Sequence, residues 1–206
     1  MTTASKPEPR AAGALRLRAG RGLEPFHVVL VEPEIPPNTG NIARLCAATR
    51  AHLHLVEPLG FRIDEQAVRR AGLDYWPLVQ LATHPDYGSA RERIASANPS
   101  ARHYLFTGKA TQSYLDVRFR AGDVLVFGKE SRGLPESLLA EHAGELVGIP
   151  TLGPVRSLNL ANAVAIVLYE ALRQVGELDG ARRGYPGRVR PRTTRAKRLA
   201  RPSSQC

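Results

Sequence analysis

The chain has 206 residues, which is enough for one domain with a sizeable core and short for two. No run of about 18 apolar residues occurs, so the sequence predicts no membrane-spanning helix and a cytoplasmic location. The two cysteines, Cys46 and Cys206, are too few for a disulfide framework or a cysteine-based zinc site.

The net charge of +10 is concentrated at the two ends of the chain. Residues 1–25 carry +3 and residues 176–206 carry +7, whereas residues 26–175 hold 15 charges of each sign. We therefore expect a neutral globular domain over 26–175 between a basic, disordered N-terminal arm and a basic, disordered C-terminal tail. Basic arms of this kind attract phosphate backbones. Solubility alone, or a transit peptide made from "RAAGALRLRAG", are the alternatives.

Apolar strand patterns alternate with helical patterns along the central region. Strands are predicted at 26–31, 53–58, 76–82, 102–107, 123–127 and 145–149, and helices at 39–50, 64–72, 85–97, 134–142 and 158–175. Because the strands are rich in Val and Leu and alternate with helices, the pattern predicts an α/β fold. Its sheet should be mostly parallel, with helices on both faces.

Three loops that follow strands are unusual, and ligands of such sheets bind outside the carboxyl ends of strands. The first is "PEIPPNTGN", which enters a helix. Asn38 or Thr39 is predicted to cap this helix, and Arg44 should point outward. Its predicted buried stripe consists of Ile42, Leu45, Cys46 and Thr49.

The second loop is "FGKESRGLP", residues 127–135. Gly128 at the strand end would let a ligand approach the backbone closely. The alternative is an ordinary strand-to-helix loop in which Glu130 and Arg132 are solvated.

The third loop, 149–159, leads into the longest helix, which Ser157 is predicted to cap. One stripe of this helix is predicted to be core: Leu158, Ala161, Ala165, Leu168 and Leu172. A second line carries Asn and Tyr where a plain solvent face would carry Lys and Glu, which favours a polar interface or a site wall. It comprises Asn159, Asn162, Ile166, Tyr169 and Arg173.

Motifs for other chemistries are missing. No G-x-G-x-x-G follows the first strand, and neither "GKA" nor "GKE" has the spacing of a phosphate-binding P-loop. His52 and His54 would share one face of a strand, but no third ligand lies nearby in sequence. We therefore expect structural histidines and no metal.

In combination, the motifs resemble those of the SPOUT superfamily of α/β-knotted methyltransferases, within it the tRNA (cytidine/uridine-34) 2′-O-methyltransferase subfamily. The matching stretches occur in family order over about residues 26–175. They are "EPEIPPNTGNIARLCA", "LHLVEP", "RRAGLDYW", "FGKESRGLP", and "IP" followed by "RSLNLANAVAIVLYEA". The resemblance implies a deep trefoil knot near the C-terminal end of the sheet, S-adenosylmethionine as cofactor, and a homodimer whose site is built across subunits.

The resemblance also implies roles for individual residues. The catalytic set would be Arg44, Asn41, Asn159 and Tyr169. The cofactor-binding set would be Phe106, Thr107, Gly128, Glu130, Ile149, Ser157 and Leu158. Arg132 and Arg156 would contact RNA.

The leading functional hypothesis is 2′-O-methylation of the wobble nucleotide in the anticodon loop of tRNA. A second hypothesis is the same chemistry at another tRNA position or on ribosomal RNA. A third is a non-catalytic RNA-binding relative, which the intact motifs disfavour.

Overall fold

The computed structural model describes residues 16–18, 20, 22–61, 75–179 and 182–184. The chain divides into two compact units, residues 19–179 and the two termini. In the terminal unit, β1 (Arg16–Arg18) pairs antiparallel with β8 (Arg182–Gly184). This short pairing was not predicted. The expected disorder of the two basic arms falls mostly on residues outside the described ones.

The described part of residues 19–179 contains a six-stranded sheet in which neighbouring strands are all parallel. Its strands are β2 (His27–Val31), β3 (His52–Val56), β4 (Gln80–His84), β5 (His103–Phe106), β6 (Val124–Phe127) and β7 (Leu146–Val147). They lie in the order β4-β3-β2-β6-β5-β7. Every residue of the central strands β2 and β6 is buried, as expected for parallel strands covered on both faces.

Helices pack on both faces of this sheet. They are α1 (Pro36–Thr49), α2 (Tyr87–Ala97), α3 (Glu136–Glu141) and α4 (Leu160–Gln174). Because successive strand residues alternate in direction, Val28 and Leu30 join one core with α1 and α4, whereas Val29 and Val31 join another with α2 and α3. The predicted α/β fold with helices on both faces is confirmed. The trefoil knot stays a prediction.

Several predicted boundaries move. Helix α1 begins at Pro36 rather than near residue 39, because proline is compatible with the first helical turn. The predicted strand 76–82 begins only at Gln80, since Trp76–Leu78 forms a 3₁₀ turn. The helix predicted at 64–72 lies outside the described residues.

The buried stripes shift as well. In α1, Ile42 and Cys46 are buried as predicted, whereas Leu45 and Thr49 are only half-buried. Helix α4 begins two residues later than predicted, so Leu158 precedes it and is 36% exposed, and Ala165 is half-buried. The buried face of α4 consists of Leu160, Val164, Val167, Leu168, Ala171 and Leu172.

His103 at the start of β5 makes stability depend on pH. Burial, followed by the nearby Arg91 charge, lowers its pKa from 6.5 to about 4, and its Nδ1 lies 2.8 Å from the Tyr87 hydroxyl. Below pH 6.5 the unfolded chain therefore binds a proton that the folded chain refuses. The stabilisation that comes from keeping His103 neutral is fully present above pH 6.5. Between pH 6.5 and about 4, the free energy of unfolding falls by about 1.4 kcal/mol per pH unit because of this residue.

Urea unfolding at pH 7.5, 6.0 and 5.0 checks this prediction. His103→Gln should show a shallower fall in the free energy of unfolding, because glutamine does not titrate. Equal pH slopes for wild type and variant would contradict it.

Candidate active site

Polar loops meet at one edge of the sheet. Strands β2, β6, β5 and β7 are consecutive neighbours and run in the same direction, so the segments that follow them leave from the same edge. These segments include the three unusual loops of the sequence.

The Glu130 carboxylate holds the amino-terminal end of α1. It accepts hydrogen bonds from the Glu34 amide at 2.9 Å, the Ile35 amide at 3.3 Å and Asn38 Nδ2 at 2.8 Å. Ile35 occupies the cap position and offers no side-chain acceptor. A carboxylate from a distant loop therefore accepts from the free amides at the start of the helix, as a local cap residue usually does. Its negative charge is favourable there because of the helix dipole.

The predicted caps of α1 are consequently wrong. The Asn38 side chain is buried in the first turn of the helix and donates to Glu130 instead. The Thr39 hydroxyl is buried and makes no hydrogen bond among the described residues.

Asn159 joins the third loop to the first. Its Oδ1 accepts from the Ala161 amide at 3.0 Å and the Asn162 amide at 3.3 Å, so Asn159 caps α4 and the predicted cap Ser157 does not. Its Nδ2 donates to Asn38 Oδ1 at 3.0 Å. Glu130, Asn38 and Asn159 thus form one chain of hydrogen bonds across three loops, which we call the loop network.

Further contacts tie the first two loops together. Lys129 Nζ donates to the Glu32 carboxylate at 2.5 Å, and the Ser131 amide and hydroxyl both donate to Glu34, at 3.1 and 2.9 Å. A Cβ atom at Gly128 would overlap the backbone of residues 133 and 134. Gly128 therefore lets the chain approach itself closely, and its predicted role in letting a ligand approach the backbone stays a prediction.

Arg44 lies exposed on α1, as predicted. Its guanidinium carbon lies 4.7 Å from the centre of the Tyr75 ring, and the Tyr75 hydroxyl donates to the Gly40 carbonyl at 3.1 Å. Asn41, one turn before Arg44, is also exposed on this side of α1. Tyr75 was not among the predicted site residues, although it lies in the "RRAGLDYW" motif.

Part of the predicted cofactor set comes together at the ends of β5, β6 and β7. Phe106 pairs in register with Phe127 and with Val147, so Thr107, Gly128 and the 148–149 segment leave the sheet side by side. The Phe106 and Phe127 rings stack, with centroids 4.7 Å apart and an angle of 9° between planes. The half-buried Ile149 packs against the same core.

Other predicted residues lie apart from this group. Ser157 and Leu158 end an exposed segment, and Arg132, Arg156 and Tyr169 are exposed. Tyr169 follows Asn159 by ten positions, about 15 Å along α4. Tyr169 therefore does not lie beside the loop network of its own chain.

The comparisons with known proteins agree with this architecture, an α/β protein with polar loops at the carboxyl ends of parallel strands. Residues 25–169 match the model of the SpoU rRNA Methylase family, and the chain belongs to this family. The resemblance drawn from the sequence motifs is confirmed.

Named relatives cover most of the chain. A tRNA (cytidine(34)-2′-O)-methyltransferase of Burkholderia cenocepacia is 50% identical over 158 residues, 76% of this chain and 99% of that protein. A solved structure described as giving insights into the 2-OH methylation of C/U34 on tRNA has a TM-score of 0.66 and 48% identity, over 73% of this chain and 96% of its own. An AdoMet-bound rRNA methyltransferase of Sinorhizobium meliloti has a TM-score of 0.63 and 26% identity, over 75% of this chain and 58% of its own.

Proposed function

We propose that this protein methylates the ribose 2′-hydroxyl of nucleotide 34 in the anticodon loop of tRNA, with S-adenosylmethionine as methyl donor, in the cytoplasm. The observation that carries the proposal is the 50% identity to the Burkholderia enzyme over nearly all of that enzyme's length. No described helix is long and apolar enough to cross a membrane.

Nucleoside mass spectrometry tests this function. Unmodified tRNA is incubated with the protein and isotope-labelled cofactor, digested, and mapped by position. Label on the 2′-oxygen of residue 34 is the expected result. Label at another tRNA position, or only on ribosomal RNA, would favour the second hypothesis, and no label anywhere would favour a non-catalytic RNA-binding protein.

The residues at the ends of β5, β6 and β7 fit an adenosine-containing cofactor. The stacked, buried Phe106 and Phe127 would form the apolar floor of the pocket, and the half-buried Thr107 and Ile149 would lie beside it. Such pockets combine apolar surface with a few placed polar groups. Ser157 and Leu158 would close the pocket from the third loop. When bound, the cofactor supplies an electrophilic methyl group for in-line transfer.

Arg44 would act on the nucleophile. As the hydroxyl oxygen attacks and its proton leaves to solvent, negative charge develops on that oxygen, and a fixed guanidinium stabilises it. Arginine is effectively always protonated, so we assign Arg44 as a charge clamp rather than a base. Asn41 would orient the ribose, and Arg132 and Arg156 would contact phosphates.

We also propose a homodimer. Tyr169 and Ile166 are 47% and 40% exposed on α4, and Tyr169 is too far along the helix to serve the loop network of its own chain. A second copy packed on this face would bring Tyr169 to a site. A monomer mass in light scattering would contradict the dimer.

Tyr75 is expected to position Arg44. Tyr75→Leu removes the ring under the guanidinium and should lower kcat about tenfold, with little change in KM for the cofactor. Tyr75→Phe keeps the ring and loses only the hydrogen bond to Gly40. Its kcat should fall less than threefold, which corresponds roughly to the lower end of the free energy of a neutral hydrogen bond. Equal losses in the two variants would contradict the role of the ring.

The C-terminal tail is expected to strengthen tRNA binding through charge. Deleting residues 185–206 removes seven basic residues, and should weaken tRNA binding about tenfold at roughly 100 mM salt and flatten the salt dependence. A full-length variant with these seven residues changed to glutamine separates charge from length. An unchanged salt slope in both would contradict the prediction.

A further inference from the structure

Three histidines converge at the amino-terminal ends of β2 and β3. His27 begins β2 and lies directly opposite His52, which begins β3. His54 follows on the same face of β3, because side chains two residues apart in a strand point the same way. The His27 ring centroid lies 5.0 Å from that of His52 and 5.2 Å from that of His54.

The cluster contains the third histidine that the sequence did not place near His52 and His54. The sequence places no third ligand near His52 and His54, but the parallel register supplies His27 from the neighbouring strand. One ring nitrogen from each histidine lies within 4.8 Å of the others. His27 Nδ1 and His54 Nε2 are already 3.0 Å apart.

His27 also has a nitrogen without a use. Its side chain is 4% exposed, and its Nε2 is buried with no hydrogen-bond partner among the described residues. Buried polar atoms are normally satisfied by protein, water or an ion. The hydrogen bonds among the described residues therefore leave the His27 ring incompletely satisfied.

We propose that His27, His52 and His54 bind one divalent transition-metal ion of the Zn²⁺ class. Nitrogens bound to Zn²⁺ at about 2.0–2.1 Å lie roughly 3.3–3.5 Å from one another. Modest ring rotations would therefore bring the present spacings, from 3.0 Å up to at most 4.8 Å, to these values. Imidazole donors suit Zn²⁺, Ni²⁺ and Cu²⁺, whereas Mg²⁺ and Ca²⁺ prefer oxygen. The half-exposed His52 gives the ion a path from solvent and leaves a fourth position for water.

The surroundings of His54 suit a metal ligand. Its Nδ1 lies 2.9 Å from Nε2 of His84 on β4, and the two rings stack. A hydrogen bond to the second ring nitrogen orients a ligating histidine and fixes its tautomer.

The ion would cross-link two strands at their amino-terminal ends, on the sheet edge opposite the loop network. Its role is therefore structural, and methyl transfer should not depend on it. This separates the metal site from the proposed function, since either can fail alone.

Zinc titration of the full-length, tag-free protein tests the proposal. Calorimetry should find one Zn²⁺ per chain with a micromolar or lower Kd. Zinc at one hundred times that Kd should raise Tm by about 5–10 °C. Co²⁺ as a spectroscopic probe should give the visible absorption bands of a four-coordinate site.

Substitutions of single histidines test which side chains bind the zinc ion. His52→Ala and His52→Asn alter only the half-exposed ligand. Each should weaken zinc binding at least tenfold and so reduce the Tm rise at the same zinc concentration by about half or more. His142→Ala, which alters a half-buried histidine outside the cluster, should bind zinc as wild type does. Absence of saturable binding by wild type, or wild-type affinity in both His52 variants, would overturn the proposal.

Discussion

Arg44→Ala is expected to lower kcat for methyl transfer by about 10²–10³-fold while cofactor affinity stays unchanged. Loss of one group that stabilises a developing oxyanion costs about this much. The exposed Arg44 guanidinium packs on the Tyr75 ring, whereas the proposed cofactor pocket lies at the stacked Phe106 and Phe127. Arg44→Lys keeps the charge but loses the planar fork, so its kcat should lie between those of wild type and alanine variant.

Single-turnover rates with saturating tRNA and cofactor, together with calorimetric titration of the cofactor, check this result. Arg118→Ala, which removes another exposed arginine outside the site, is the matched control and should leave kcat unchanged. Near-wild-type turnover in Arg44→Ala would contradict a role of Arg44 in methyl transfer. Lost cofactor binding would instead place Arg44 in the cofactor pocket.

Glu130→Ala is expected to destabilise the protein and to inactivate it as a consequence. Three donors at the start of α1 lose their acceptor, at a cost of about 2–4 kcal/mol in the free energy of unfolding after water re-enters. Tm should fall by about 5–15 °C. Turnover should fall too, because α1 carries Arg44.

Thermal unfolding and cofactor titration of the same samples distinguish two roles for Glu130. If its carboxylate mainly positions α1, Glu130→Gln should retain part of the stability, since one oxygen still accepts. If it mainly binds cofactor, as the resemblance implies, the alanine variant should lose cofactor affinity at an unchanged Tm. Glu92→Ala, at an exposed position of α2, is the control and should change neither.

The layers of the fold could be predicted because their signals are local. Short runs rich in β-branched residues, such as "HVVLV" and "VLVF", favour strands buried on both faces, and their alternation with helices favours a parallel sheet. The start of α1 was misplaced because Asn38 looks like a cap in sequence, whereas in the structure it bonds to Glu130. Only the fold shows that a residue 92 positions away supplies the acceptor.

The sequence predicted individual features of the candidate site, but not the contacts between residues that are distant in sequence. The outward direction of Arg44 follows from helical spacing, but its contact with Tyr75 depends on how a distant segment packs. The convergence of His27 with His52 and His54 depends on strand register, which a list of local motifs does not contain.

The loop network has a consequence for synthesis of the chain on the ribosome. Asn159 lies 121 positions after Asn38, and the hydrogen bond between them closes the network. A nascent chain therefore exposes its amino-terminal loop long before the residue that fastens it has been made, since domains assemble as their segments emerge. A fragment released before residue 159 would lack this hydrogen bond, so we expect the proposed activity to arise only once α4 has been synthesised.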